Sequence, residues 1–427
     1  MSGTLMVLLM TFLFLFFGYL GVPVAFSLLA GTLIGAMFTD VSETAIIQKM
    51  FDGMDNEALL AIPFFLLVGE LMSSANVVQR VANLSLTLVG HIRGGLSQVV
   101  TVFSMFFSEM SGSTTADVAV ISRALGGPMK REGYSPPFIA AIIAAASTIA
   151  ALVPPSITAV VYGAIGNVSI AGLFMAGVVP GLMIGIGLMI FCYFFGPTGM
   201  TRPRAPFREV ARAFKDASLP LMIPAILLGG ILTGFFTPTE AGGVGATGAF
   251  LIGLVTGRLD KVKILTSLLQ ATRTAAAVFT VLIGALIFGY FLTVTQTPQK
   301  VTEFLTSLGL GSYGVLAVIM VMYLVLGCLM DAMAMIILTV PIIFPVVTQL
   351  GFDPIWFGVI IVMTVELGLI HPPVGMNVFV IKSVVKDVSF ATIFKGVIPF
   401  VLTDLVRLVI LIAFPILALW LPTRMTG

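Results

Sequence analysis

The chain has 427 residues, 59% of them apolar and only 9% Asp, Glu, Lys or Arg, against about 25% charged in an ordinary soluble domain. With a mean hydropathy of +1.14, most of the outer surface must face lipid, which excludes a soluble fold. The net charge of +2, from 21 basic and 19 acidic residues, is too small to imply nucleic acid or a polyanionic partner. Cys192 and Cys328 both lie in apolar runs, which argues against a disulfide framework or a cysteine-based metal site. His91 and His371 are the two histidines, with no HExxH between them, so an intramembrane zinc enzyme is not expected.

The first run, MSGTLMVLL, lacks the basic region of a secretory signal and reads as a retained span. Taken along the chain, apolar runs of about 20 residues predict helical spans over residues 4–20, 22–38, 57–76, 136–166, 172–196, 217–236, 240–257, 274–294, 354–381 and 396–420. Two longer runs, 95–128 and 314–347, are interrupted near the middle by small or polar residues. Each is expected to form a re-entrant hairpin that enters and leaves on one side. With the N-terminus outside, sixteen of the 21 basic residues then fall on the inner side, Lys386 among them. Lys49, Lys300 and Arg424 fall outside, and Arg123 and Arg407 lie within apolar runs. This asymmetry follows the positive-inside rule. The polar stretch 201–216 is read as an inner-side linker between a first half, 1–200, and a second, 217–427.

A shift of 218 residues aligns Gly133 with Gly351, Pro136 with Pro354, Pro154-Pro155 with Pro372-Pro373, and Ser113 with Asp331. Each half carries five spans and a hairpin, so the odd span number inverts the second half. The expected class is an all-α polytopic membrane protein with an inverted-topology repeat. Such repeats mark secondary transporters, whose sites lie near the midplane where helices are discontinuous.

The broken spans 136–166 and 354–381 carry double prolines that remove backbone donors and leave carbonyls free to bind cations. A packing kink is the other reading of a single proline, but here two pairs stand in register. The hairpin tips, SEMSGSTTAD and GCLMDAMA, add hydroxyls and carboxylates. Sodium is a hard cation that takes oxygen ligands. One candidate sodium site is therefore Ser111, Gly112, Ser113, Asp117, Ser147 and Pro154; its mirror is Gly327, Asp331, Thr364, Glu366 and Gly368. Ser113, Thr158, His371 and Asn377 are candidate substrate contacts. Asp404 and Arg407 are expected to neutralise each other at i, i+3, and the run AGGVGATG to pack helices.

The motifs SGSTTAD, GYSPPF, AAASTI and VPPS in the first half, with GCLMDAMAM, GFDPIWFG, VELGLI and PPVGMNVFV in the second, resemble the large membrane subunit of the tripartite ATP-independent periplasmic (TRAP) transporters. His371 is a departure, since the family usually carries Thr before the double proline. Within the family the chain is most similar to the large subunits of sialic acid transporters. The resemblance implies sodium-coupled import of an organic acid across the bacterial inner membrane, by an elevator-like movement of the hairpins and broken helices. It also implies two partners, a small four-helix membrane subunit and a soluble periplasmic binding protein, with both termini of this chain periplasmic. A stand-alone carboxylate or oxyanion carrier and a non-transporting membrane scaffold are the other readings. No constellation of nucleophile, base and orienting group suggests an enzyme.

Overall fold

The computed structural model describes residues 3–38, 43–75, 77–197, 201–328, 330–385 and 388–425. Lys386 lies outside the described residues, as does the side chain of Ser111. The described chain is helical, with helices joined by short turns. Among the described residues, six helices are long and apolar enough to cross a bilayer unaided: Glu57–Ser74, Ile170–Phe195, Phe207–Leu232, Lys261–Val294, Ala332–Gln349 and Phe390–Ala413. Their outer faces carry large exposed apolar side chains such as Ile186, Ile190, Leu265 and Val409, as a lipid-facing surface requires.

The centre of the molecule holds the two interrupted regions of each half. The first hairpin is Leu96–Ser111 followed by Thr114–Ile121, which runs on through a π-helical stretch, Ser122–Gly126, to Arg131. The second is Gly311–Gly327 followed by Ala332–Gln349. The first broken helix is Pro136–Ser147 with Ile157–Gly166, and the second is Pro354–Ile370 with Met376–Val384. Every residue from Trp356 to Ile370 is buried, so this helix faces protein all round, in keeping with a sequence that is apolar apart from Thr364 and Glu366.

The halves interlock. Ile157–Gly166 packs on Ala332–Gln349, and Pro136–Ser147 packs on Phe390–Ala413. Tyr162 Oη donates to the Pro354 carbonyl at 2.8 Å. The 218-residue shift also carries 43–74 onto 261–292. The first half splits this stretch at Asp55–Asn56, where the Asn56 side chain accepts from Ala58 N at 3.0 Å and starts a new helix. The second half keeps it as one 34-residue helix, Lys261–Val294.

Several elements differ from the sequence expectation. Glu43–Met54, Val77–Val89 and Thr297–Ser307 are helices where loops were expected, because each has one polar face and too few apolar residues to register as a span. Lys49 and Lys300 sit on the first and last of these. The stretch 201–216 is a linker only in part: Pro206 fixes an extended backbone, and one helix then runs from Phe207 to Leu232. The expected span 396–420 ends at Ala413, and Ile416–Met425 is a separate helix after Pro415.

Small residues set the closest contacts. Glu240 closes a capping box on Thr237 at the start of Pro238–Val255. Gly242 of that helix lies against Phe64, where an added Cβ would come within 2.9 Å of the Phe64 Cβ. Gly327 and Gly368 meet backbone to backbone, and a Cβ on Gly368 would stand 2.7 Å from the Gly327 Cα. Gly368→Ala is expected to destabilise the protein by about 1–3 kcal/mol through overpacking, outweighing about 1 kcal/mol gained in helix propensity. Thermal melting in detergent checks this, and a raised midpoint would refute the contact.

Candidate functional site

The two hairpin tips and the two breaks converge. Leu96–Ser111 ends at Gly112, whose φ of +58° is the left-handed conformation that glycine adopts without strain. A Cβ there would also stand 3.1 Å from the Pro155 carbonyl, so the tip rests directly on the first break. Ser113 then has extended backbone and leads into Thr114–Ile121. Asp331 takes the same place in the second hairpin, as the N-cap of Ala332–Gln349, accepting from Ala334 N at 3.2 Å.

Between these tips lies a cavity of about 80 Å³. Gly112, Ser113, Thr158, Asp331 and Glu366 line it, together with Thr114 and Thr115. One hydrogen bond crosses the repeat here: Thr114 Oγ1 donates to Glu366 Oε2 at 2.8 Å. The outer wall comes from the long peripheral helices through Leu66, Thr274 and Val278. Among the described residues, the lining holds two carboxyl groups, several hydroxyls and no basic side chain.

The remaining candidates sit around the cavity. Asp117 is fully buried and accepts from Ser108 Oγ at 2.9 Å, bracing the two arms of the first hairpin. Ser147 donates back to the Ile143 carbonyl at 2.8 Å, and Thr364 to the Ile360 carbonyl at 2.7 Å. A hydroxyl that donates in this way keeps its lone pairs for another ligand. Pro154 and Pro155 are joined by a cis peptide bond, as are Pro372 and Pro373. At the first break Ser156 Oγ donates to the Ala151 carbonyl at 2.5 Å, so one of the freed carbonyls is already satisfied.

Gly327 and Gly368 are brought together, but as the backbone contact described above. His371 is not in the lining of the cavity; its Nδ1 lies 2.6 Å from the Pro372 carbonyl and 3.7 Å from Cys328 Sγ. Asn377 is also outside the lining. It is fully buried near the start of Met376–Val384, and neither amide atom has a hydrogen-bond partner. An orphaned amide in a buried site is one that water or an ion completes.

Sequence reasoning did not single out Thr114, Thr115, Thr274 or Leu66. The two threonines lie in the quoted SGSTTAD motif beside chosen residues, so tip position alone was a usable signal. Thr274 sits in an unbroken helix among alanines, and nothing local distinguishes it from packing.

The match to known proteins is extensive. Residues 9–417 match the family model described as the tripartite ATP-independent periplasmic transporter, DctM component. The chain is 36% identical over 413 residues to the sialic acid TRAP transporter large permease protein SiaM of Vibrio cholerae, covering 96% of each chain. It is 37% identical over 397 residues to the C4-dicarboxylate TRAP transporter large permease protein DctM of Pseudomonas aeruginosa, covering 92% of this chain and 93% of that one. The solved YdaH transporter of Alcanivorax borkumensis shares the fold, with a TM-score of 0.65 over 97% of this chain and 99% of that one at 15% identity. An all-helical chain with interrupted helices around a carboxylate-lined cavity, matched to one permease family over nearly its whole length, belongs to the DctM component family of the tripartite ATP-independent periplasmic transporters.

Proposed function

We propose that this permease imports an organic acid by sodium symport, sialic acid being the first substrate to test, in complex with a small membrane subunit and a periplasmic binding protein. The observation that carries the reading is the sign of the cavity. Asp331 and Glu366 line it with no basic side chain among the described residues, so an anionic substrate can enter only if cations neutralise those carboxylates first. Sodium suits the oxygen-rich surroundings. The hydroxyls of Ser147 and Thr364, the tip around Gly112 and Ser113, and the unsatisfied amide oxygen of Asn377 are the groups able to complete its shell. Sodium binding then orders both tips and completes a pocket in which the hydroxyls of Ser113, Thr114 and Thr158 receive the substrate.

The geometry also supports movement of the central body. At about 80 Å³ the cavity is far below the 300–1,000 Å³ of an ordinary ligand pocket, so substrate entry requires the tips to part. The hairpins and broken helices, about 95–166 and 314–381, move together as an elevator, while Glu57–Ser74 and Lys261–Val294 stay fixed as the wall. The chain lies in the bacterial inner membrane with both termini periplasmic, an orientation that follows from the placement of the basic residues and that reporter fusions at the C-terminus test.

The similarity to relatives named for sialic acid and for C4-dicarboxylates is nearly equal, so substrate choice needs a direct assay. In proteoliposomes holding all three components, uptake of labelled sialic acid is expected to require an inward sodium gradient. Uptake that persists with potassium in place of sodium overturns the coupling. Uptake of a C4-dicarboxylate in place of sialic acid overturns the substrate, and uptake by the permease alone overturns the tripartite assembly.

A further inference from the structure

We propose that Cys328 and His371 form a binding site for a soft or borderline divalent cation, Zn²⁺ or Cd²⁺, that clamps the tip of the second hairpin to the break in the helix following it. Cys328 ends Gly311–Gly327, and His371 ends Pro354–Ile370. Packing of these two helices brings residues 43 positions apart to a Sγ to Nδ1 distance of 3.7 Å. A tetrahedral zinc ion with its usual bonds to sulfur and nitrogen holds those two atoms about 3.5 Å apart, so the pair already spans one edge of a metal site. The Pro372 carbonyl oxygen lies 3.1 Å from Sγ and 2.6 Å from Nδ1, hydrogen-bonding distances too short for it to be a third tetrahedral ligand as it stands.

In the present arrangement the thiol has two carbonyl acceptors, Leu324 and Pro372, each at 3.1 Å, and the Pro372 carbonyl also faces Nδ1. A metal ion replaces these contacts with bonds to sulfur and nitrogen. The thiol loses its proton to solvent and binds as thiolate, while the imidazole binds through the Nδ1 lone pair with its ring hydrogen on Nε2. Sulfur and nitrogen donors distinguish this site from the oxygen sites proposed for sodium. Among the described residues no group of three or more His, Cys, Asp or Glu side chains is placed to hold a metal ion. Water completes the shell around the two protein donors, which makes this a reversible, inhibitory site rather than a structural one. Pro373 is exposed, so the break is open to an arriving ion. The positions 218 residues earlier hold Met110 and Val153, so the repeat supplies one such site and not two.

The effect on import rests on the transport reading above; the binding does not. In the purified full-length chain, Cd²⁺ titration is expected to produce the ultraviolet thiolate-to-cadmium charge-transfer band at one ion per chain, displaced by Zn²⁺ and removed by chelator. Cys328→Ser is expected to lose the band, His371→Ala to weaken Cd²⁺ binding at least about tenfold, and Cys192→Ser to keep both band and affinity. A band that survives in Cys328→Ser, or an affinity unchanged in His371→Ala, overturns the site. Melting curves without metal confirm that each variant is folded, and the chelator reversal in the unmodified protein needs no variant. In proteoliposomes, Zn²⁺ is expected to inhibit uptake by the unmodified protein and not by Cys328→Ser. Binding without inhibition overturns the clamp while leaving the site intact.

Discussion

Glu366→Ala is expected to lower sodium-driven uptake by at least about 100-fold, because it removes both a lining carboxylate and the acceptor of the hydrogen bond that crosses the repeat. The two roles separate in milder variants. Glu366→Gln keeps an oxygen for Thr114 but loses the charge, so the sodium concentration for half-maximal uptake is expected to rise about tenfold or more. Thr114→Val keeps the volume and the charge but loses the donor. A hydrogen bond to an ionised group contributes about 1.5–3 kcal/mol, so a fall of about 10–100-fold is expected with sodium dependence retained. A Glu366→Gln protein whose sodium dependence is unchanged would falsify the neutralisation argument and leave Glu366 as a structural acceptor.

The largest stability effect is expected at Asp404 and Arg407. Both are buried, and the Arg407 guanidinium is paired with Asp404. It also donates to the Ile184 carbonyl at 2.8 Å, across to Ile170–Phe195, and Gly187 leaves the space it occupies. Arg407→Leu leaves a buried carboxylate without its partner and is expected to cost about 3–5 kcal/mol. The double variant Asp404→Leu with Arg407→Leu is expected to recover most of that loss, because two apolar side chains in lipid surroundings leave no charge uncompensated. Melting of the two variants beside the unmodified protein in detergent checks this. A double variant as unstable as the single one would show that the bond to Ile184, rather than the ion pair, holds the two helices together.

Much of the fold was legible in the sequence for physical reasons. Lipid demands long apolar helices, so composition and run length locate most spans, and the double prolines mark the breaks because proline cannot complete a helical ladder. The shift of 218 residues was visible because the same backbone geometry was needed in both halves. Amphipathic helices such as Glu43–Met54 and Val77–Val89 were missed because a polar face dilutes the apolar signal to that of a loop. The candidate site was partly legible. Gly112, Ser113, Thr158, Asp331 and Glu366 line one cavity, and all five had been marked by their position at a tip or beside a break.

Long-range approach could not be read. Gly327 and Gly368 look like ion-site backbone in one dimension, and only the packing shows that they let two helices touch. His371 precedes a double proline just as a pocket residue would, yet its ring turns to Cys328. Thr274 enters the cavity from a helix with no break or motif near it. By itself, the sequence determined that this chain lives in a bilayer, that its motifs recur after 218 residues, and where its helices break. Those features follow from solvent and local backbone chemistry, which each segment carries alone. Which groups face one another was decided only by tertiary structure, because the Thr114 to Glu366 bond, the meeting of Gly327 with Gly368 and the Cys328 to His371 pair depend on helix packing between segments 41 to 252 residues apart.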